Sequence, residues 1–142
     1  MSALLALLFI VGCTTNGSTG DAIVVTMYKS PNCGCCTGHA AALKQDGYTV
    51  NVLPTKNMQM IKEQQNIPSN MQSCHTSLIG DYFVEGHVPL EAIEKLLTEQ
   101  PDIDGIALPR MPTGTPGMPG SKKGPYVIYT LKDGQPSEFM VI

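Results

Sequence analysis

The stretch Ile23-Val24-Val25-Thr26-Met27-Tyr28 runs directly into Lys29-Ser30-Pro31-Asn32-Cys33-Gly34-Cys35-Cys36. Its first part is apolar and β-branched, which predicts a buried strand over residues 22–28. The residues after it, Thr37 to Asp46, predict a helix that is closed by Asp46-Gly47. Three cysteines therefore lie where a strand passes into a helix, and the positive end of that helix favours ionised sulfur.

The same alternation of strand and helix continues along the chain. Residues 48–53 predict a second strand and residues 57–65 a second helix, with Pro68 beyond its end. This β-α-β-α order implies a parallel pair of strands with a right-handed crossover. The remaining predicted elements are a hairpin of residues 76–79 and 82–85, a helix over residues 90–99, and a closing hairpin of residues 126–131 and 138–142.

Residues 101–125 stand apart because they hold most of the prolines and much of the glycine. Such a composition predicts a segment with no regular element. A loop of this length within a compact domain is usually functional or disordered. It contains the stretch Met111-Pro112-Thr113-Gly114-Thr115-Pro116-Gly117-Met118.

The composition fits one domain that works outside the cytoplasm. The chain has 142 residues, a net charge of −3, five cysteines and eight methionines. The length suits a single domain, residues 22–142, and the mild charge gives no nucleic-acid footprint. Residues 1–12 form an apolar run too short to span a bilayer, which predicts a signal peptide.

The apolar run ends in Leu8-Phe9-Ile10-Val11-Gly12-Cys13, which resembles a bacterial lipoprotein cleavage box. In that resemblance Cys13 carries the lipid, and the polar residues 13–21 form a flexible tether. The alternative is an ordinary secretory signal that is cleaved slightly later. We therefore expect a periplasmic protein, held at the membrane only by a lipid anchor, in a compartment that permits disulfides.

The predicted order of elements is that of a thioredoxin-like or glutaredoxin-like α/β domain, with a central mixed sheet flanked by helices and a long Pro/Gly/Met loop. Its local sequences resemble the small periplasmic copper-resistance proteins of the CopG type. The resemblance covers residues 22–142, and the matching pieces are Cys33-Gly34-Cys35-Cys36, Ser73-Cys74-His75-Thr76, Glu85-Gly86-His87-Val88-Pro89 and Met111 to Met118.

This resemblance implies a thioredoxin-like fold and several copper ions in a cysteine-bridged cluster. It also implies a redox role in copper tolerance, interconverting Cu(I) and Cu(II) and supplying an efflux system. One departure from the family pattern is His39, which stands three residues after the last cysteine of the motif in place of a tryptophan. That departure makes His39 a further candidate ligand.

The chemistry of the cysteines favours a metal over simple disulfide exchange. Cys33 and Cys36 have the spacing used for exchange, but Cys35 between them competes as a nucleophile. When Cys74-His75-Thr76 is laid over the third strand of a glutaredoxin-like fold, His75 falls where that fold keeps a cis-proline facing the redox cysteines. Zinc is usually held by two separated cysteine pairs, whereas crowded thiolates suit bridging between several Cu(I) ions.

Each candidate ligand has a plainer alternative. For the cysteines it is a structural disulfide or a buried thiol. For His75 it is a strand residue that points away, for His87 a cap or contact of the third helix, and for His39 a partly exposed helix residue. A methionine in a Gly/Pro loop has the alternative of packing over the sheet, and Met27, Met58, Met60 and Met140 are expected in the core or on helix surfaces. The candidate metal ligands are Cys33, Cys35, Cys36, Cys74, His39, His75, His87, Met111 and Met118.

Three functions remain open from the sequence. The first is a copper protein with a redox-active cluster, which would make it a copper oxidoreductase with no separate catalytic residue. The second is a metal-free thiol–disulfide oxidoreductase that uses Cys33 and Cys36. The third is a copper chaperone or storage protein without redox turnover. The sequence gives no support to Ser/His/Asp catalysis or to a phosphate-binding glycine loop.

Overall fold

The first strand, β1 (Val24–Lys29), lies inside a mixed sheet and leads into the cysteine-rich segment. The computed structural model describes residues 22–142, so the predicted signal peptide, the tether and Cys13 lie outside the described residues. The elements after β1 are α1 (Gly34–Gln45), β2 (Thr49–Pro54), α2 (Met58–Gln64), a 3-10 turn (Ser69–Met71), β3 (His75–Ile79), β4 (Tyr82–Glu85), α3 (Leu90–Glu99), β5 (Gly105–Ala107), β6 (Val127–Lys132) and β7 (Gln135–Val141).

The sheet confirms the prediction of a single α/β domain with a mixed sheet. In the described residues it has seven strands in the order β2-β1-β3-β4-β5-β6-β7, accompanied by three α-helices. The predicted parallel pair is β1 with β2, and the predicted hairpins are β3 with β4 and β6 with β7. Strand β3 runs antiparallel to β1, with His75 opposite Lys29. That register brings the start of β3 to the end of β1, beside the cysteines.

The prediction that residues 101–125 hold no regular element is wrong for Gly105–Ala107. These residues form β5, which pairs parallel with β4 and antiparallel with β6. All three are buried, and Gly105 leaves no room for a Cβ against Phe83. A strand this short has too few residues for a period-two pattern, and its neighbours in the sheet supply its hydrogen bonds.

Helix α1 begins three residues earlier than the sequence predicted, at Gly34 rather than Thr37. Cys33 caps it, since the Cys36 N–H donates to Cys33 Sγ across 3.3 Å. A side-chain acceptor at this position satisfies one of the free N–H groups that begin a helix. The shift places Cys35 and Cys36 in the first turn of the helix.

The main core lies where α1 and α3 pack on the sheet. Helix α3 places Ile93 and Leu96 inward, as its predicted apolar stripe requires, and α1 contributes Leu43. Burying each such side chain stabilises the fold by about 1.5–3 kcal/mol. Met27 is fully buried and Met140 packs against the core, whereas Met60 is 44 % exposed on α2.

No helix among residues 22–142 is both long and apolar enough to cross a membrane. The backbone of the same residues contains no cis peptide bond, so His75 begins β3 with an ordinary trans bond before it.

Candidate metal centre

The cysteine turn, residues 33–36, supplies three sulfur atoms at the N-terminus of α1. Cys33 and Cys36 are joined by a disulfide, with their Cα atoms 5.5 Å apart. The Sγ atoms of Cys33 and Cys35 lie 3.5 Å apart. Cys36 is fully buried, while Cys33 and Cys35 are half-buried and can be reached from solvent.

The fourth sulfur comes from the start of β3, far away in sequence. Cys74 Sγ lies 3.7 Å from Cys36 Sγ, because the pairing of β3 with β1 brings the two segments together. All four sulfur atoms lie within 4.8 Å of one another. Sulfur atoms from two distant parts of the chain therefore meet in one place.

The three histidines of the chain form one buried cluster beside these sulfurs, which we call the histidine wall (His39, His75 and His87). The centroids of their rings are 4.8 to 5.4 Å apart. His39 Nδ1 lies 2.8 Å from His75 Nε2, and His39 Nε2 lies 3.1 Å from the Val88 carbonyl oxygen. His87 Nδ1 lies 2.8 Å from the Pro116 carbonyl oxygen.

Cys74 joins the histidine wall to the cysteine turn. Its Sγ lies 3.3 Å from His75 Nδ1 and 3.0 Å from His87 Nε2. A second donor group, made of Cys36, Cys74, His75 and His87, also has its atoms within 4.8 Å of one another. Cys36 and Cys74 thus belong to both groups of donor atoms.

Burial favours the uncharged forms of the three histidines and of Cys74. It lowers the pKa of His39 from 6.5 to about 4, assisted by the nearby His87 and opposed by the Val88 carbonyl. Burial also lowers the pKa of His75 well below its ordinary value and, to a smaller extent, that of His87. The pKa of the Cys74 thiol is raised to about 12, first by burial and then by the charge of Cys35. A metal ion that binds Cys74 must therefore displace a proton.

A buried ion pair underlies the segment that carries Cys74 and His75. Glu85 accepts hydrogen bonds from the Ser73 N–H and the Thr76 hydroxyl, each across 2.6 Å, so it holds both sides of the pair Cys74-His75. Lys62 of α2 forms a salt bridge with Glu85, and both side chains are almost fully buried. Sequence reasoning missed this pair, because a lysine in a polar helix and a glutamate at a strand end both look like surface residues.

The segment of residues 112–118, the Gly117 loop, covers both the cysteine turn and the histidine wall. Gly117 packs on the first turns of α1, where a Cβ on it would lie 2.5 Å from the Cys35 carbonyl oxygen. Thr115 is buried, and its hydroxyl donates to the Pro112 carbonyl across 2.8 Å. The Pro116 carbonyl between them accepts the His87 N–H. The sequence left this loop as either functional or disordered, and it did not predict the role of Gly117.

The remaining predicted ligands, Met118, Met111 and His39, lie in different surroundings. Met118 is half-buried and follows Gly117 directly, whereas Met111 is 47 % exposed. Met111 lines a groove of about 770 Å³, together with Arg110 and Tyr129, and none of the groove's lining residues is a cysteine or a histidine. His39 was predicted as a ligand, but both of its ring nitrogens make hydrogen bonds within the protein.

The donor set suits a soft metal ion. Within residues 22–142, Cys74 Sγ is the one hydrogen-bond partner of both His75 Nδ1 and His87 Nε2. A thiol has a single proton, so it satisfies only one of these two buried nitrogens. Sulfur and imidazole donors favour Cu(I) or zinc over harder ions, and copper therefore fits the residues that are present.

Comparison with known proteins agrees with this reading of the donor set. The sequence model of the family described as "Protein of unknown function, DUF411" matches residues 71–118, which include Cys74, His75 and His87. Two solved structures, "Copper resistance protein copG" in form 2 and form 1, are similar over 86 % of this chain at 35 % identity. They are covered over 99 % and 98 % of their own length, with TM-scores of 0.80 and 0.79. No curated protein matches the chain.

Proposed function

The chain belongs to the family of the copper resistance protein CopG, and we propose that it binds copper at the centre formed by the cysteine turn, Cys74 and the histidine wall. The observation that carries the proposal is the meeting of four sulfur atoms and two imidazole nitrogens from distant parts of the chain. We propose Cys33, Cys35, Cys36 and Cys74 as sulfur ligands, with His75 and His87 as nitrogen ligands. The metal roles of Met118, Met111 and His39 stay predictions from the sequence.

Reduction of the disulfide is the first requirement of this function. Two electrons and two protons from a dithiol reductant open the Cys33–Cys36 bond and release both thiols. When copper displaces the thiol protons, the four sulfur atoms within 4.8 Å of one another become thiolates, which repel each other strongly. Several Cu(I) ions that share these sulfurs relieve the repulsion, which is why we propose a multinuclear cluster rather than a single ion.

Copper bound here would supply one-electron chemistry between Cu(I) and Cu(II), and we propose that the protein interconverts the two states. The chain's own contribution is to hold neutral imidazoles beside sulfur in a partly closed site. We also propose a bacterial periplasmic location and a role in supplying a copper efflux system, on the likeness to the copper resistance proteins. A lipid anchor at Cys13, outside the described residues, completes this proposal.

A thioredoxin-like assignment of the fold also belongs to this proposal. The helix α1 begins within a Cys-x-x-Cys spacing shortly after the interior strand β1, and β3 starts near those cysteines. That is the arrangement in which thioredoxin-like folds hold their redox pair. Here the position opposite the pair carries Cys74 and His75.

Copper content of the reduced full chain tests the proposal. We expect more than one copper per chain by elemental analysis after loading with Cu(I) and removal of the excess. Cys74→Ser should lose most of this copper, because Cys74 belongs to both donor groups. Met60→Leu removes an exposed sulfur on α2 and is the matched control, which should bind as the wild type does. Full copper content in Cys74→Ser would contradict the proposal.

The oxidised protein provides a second arm of the same experiment. With the Cys33–Cys36 bond left intact, two of the four sulfurs are withdrawn, so we expect copper uptake to fall by at least half. Uptake should return when a dithiol is added. Voltammetry of the loaded protein separates redox function from carriage, since a reversible wave supports the former and its absence supports a chaperone or storage role.

A second candidate function is favoured by the disulfide itself. The Cys33–Cys36 bond lies at a helix N-terminus, and Cys33 is half-buried, so an outside thiol has access to it. A metal-free thiol–disulfide oxidoreductase would use this bond directly. Reduction of insulin by the metal-free protein, lost in Cys33→Ser, would favour this candidate over the copper site.

A further inference from the structure

The three histidines are linked by contacts that fix where each ring carries its proton. His39 Nε2 lies 3.1 Å from the Val88 carbonyl oxygen, and a carbonyl oxygen only accepts hydrogen bonds. His39 must therefore carry its proton on Nε2. The ring is fully buried, and within the described residues its nitrogens contact only His75 and the Val88 carbonyl, with no carboxylate beside them, so it is neutral. Its other nitrogen, Nδ1, is left as an acceptor.

The same reasoning passes from His39 to His75. His39 Nδ1 lies 2.8 Å from His75 Nε2, and since the first atom has no proton, the second must donate. His75 then carries its proton on Nε2 and has a free lone pair on Nδ1. That lone pair faces Cys74 Sγ at 3.3 Å. The opposite tautomer of His75 would place two lone pairs against each other in a fully buried site, which is strongly unfavourable.

His87 reaches the same outcome by a separate route. Its Nδ1 donates to the Pro116 carbonyl oxygen across 2.8 Å, which leaves the Nε2 lone pair facing Cys74 Sγ at 3.0 Å. Two imidazoles therefore present different ring nitrogens to one sulfur. One is set through His39, and the other by the backbone of the Gly117 loop.

We infer that His39 is a positioning residue, which sets the tautomer of His75 so that Nδ1 of His75 and Nε2 of His87 are the nitrogens offered to the metal. The inference rests on the proposed function only for the presence of copper, because the tautomers exist in the metal-free protein. Outer partners that fix the tautomer of a metal-binding histidine are a general feature of metal sites. A plain core histidine would have no such consequence for its neighbour.

Two variants separate positioning from packing. His39→Phe keeps an aromatic ring in the space but removes the acceptor for the His75 N–H. His39→Gln keeps one amide donor for the Val88 carbonyl and one acceptor for His75. The His87 tautomer does not depend on His39, so it serves as an internal control in both variants.

Long-range proton–nitrogen NMR of the reduced, metal-free full chain is the test. We expect the proton on Nε2 in His39 and His75 and on Nδ1 in His87. In His39→Phe, His75 should lose its single Nε2–H form while His87 stays unchanged, and copper affinity should fall by about 10- to 100-fold. His39→Gln should restore most of both properties.

The outcomes are distinct. A proton on Nδ1 of wild-type His75, or an unchanged His75 tautomer in His39→Phe, overturns the inference even if copper binds. The expected tautomers without any copper uptake would refute the proposed function and leave the tautomer assignment standing. Should His39→Phe fail to fold, the wild-type spectrum together with His39→Gln still decides the matter.

Discussion

The cysteine turn and the histidine wall meet at Cys74, yet they are built in opposite ways. The side chains of Cys33 and Cys35 are half-buried at a helix start, where a disulfide joins Cys33 to Cys36. The histidine wall is fully buried. Two of its ring nitrogens, His39 Nε2 and His87 Nδ1, are hydrogen-bonded to backbone carbonyl oxygens. One half of the centre is adjustable, whereas the other is fixed.

This difference indicates that the cysteine turn can change its bonding while the histidine wall keeps its geometry. The exposed half can exchange electrons and bonds with outside thiols, because its sulfur atoms are reachable. The buried half holds its lone pairs in place through hydrogen bonds in a site of low polarity. Cys36 and Cys74 belong to both donor groups, so a change in the cysteine turn is felt by the fixed half.

Loss of the buried Lys62–Glu85 ion pair, which underlies the segment with Cys74 and His75, should lower the stability most. Lys62→Met leaves Glu85 buried without its cation, and breaking a buried ion pair from one side costs about 3–5 kcal/mol. Urea unfolding of the metal-free protein measures this loss. Because Glu85 holds the Ser73 N–H and the Thr76 hydroxyl, the segment that carries Cys74 should also loosen.

Two controls make the Lys62 result specific. Replacing both partners with apolar residues, Lys62→Met with Glu85→Leu, should recover much of the lost stability. Lys95→Met breaks a pair with Glu99 that is 33 % and 51 % exposed, and should change stability by no more than about 1 kcal/mol. If Lys62→Met and Lys95→Met lower the free energy of unfolding equally, the buried pair of Lys62 with Glu85 does not stabilise the site.

The Gly117 loop contacts both the cysteine turn and the histidine wall, so a change in it should disturb both halves of the centre. Gly117 has φ of +83° and packs against the backbone of α1. Gly117→Ala adds a Cβ in a strained backbone region, for which we expect a loss of about 2 kcal/mol. The change also moves the Pro116 carbonyl that holds His87, so copper affinity should fall together with stability.

Gly34→Ala is the matched glycine control. Gly34 begins α1 in the cysteine turn, and a Cβ built there meets nothing within 4 Å. Alanine is a better helix former than glycine, so this variant should be neutral or slightly more stable. A thermal unfolding series of both variants compares them. A Gly117→Ala protein as stable as Gly34→Ala would mean that the loop does not pack on the helix.

Acid should destabilise the protein, because the three histidines are buried as neutral rings in the folded state and gain protons near pH 6.5 when the chain unfolds. His39 has a pKa of about 4 in the folded protein and 6.5 when unfolded, so the unfolded state binds the extra proton. Stability is therefore complete above pH 6.5 and falls as the pH drops towards 4, by about 1.4 kcal/mol per pH unit for His39. His75 and His87 act in the same direction.

Urea unfolding of the metal-free protein between pH 7.5 and 5.5 measures this slope. His39→Phe removes one of the three titrating groups, so it should flatten the profile. A stability that does not change across this range would contradict the burial of neutral imidazoles at the site.

Much of the fold could be predicted because its strong signals are local. The β-branched run before the cysteines, the apolar stripe of residues 90–99 and the Gly80-Asp81 turn each specify one element, and the structure contains all three. Strand β5 could not be predicted, since its three residues take their structure from the strands on either side.

In the candidate site too, the features with a local sequence signal could be predicted and those that depend on tertiary contacts could not. Cysteine spacing identified the cysteine turn, and the family pieces pointed to Cys74, His75 and His87. Two features depend on tertiary contacts and had no local signal: the pairing of Lys62 with Glu85, and the hydrogen bonds that occupy both nitrogens of His39. From the sequence alone Lys62 looks like a surface residue and His39 like a ligand. Only the tertiary structure shows which partner each side chain contacts.

Copper K-edge X-ray absorption of the reduced, Cu(I)-loaded full chain identifies the atoms that surround copper. Sulfur should be the dominant nearest neighbour, with a smaller contribution from imidazole nitrogen and with scattering between copper ions that share sulfurs. The nitrogen contribution should shrink in a His75→Phe and His87→Phe double variant. A nearest-neighbour shell of nitrogen and oxygen alone, or sulfur with no second copper, would contradict the proposed copper–thiolate cluster.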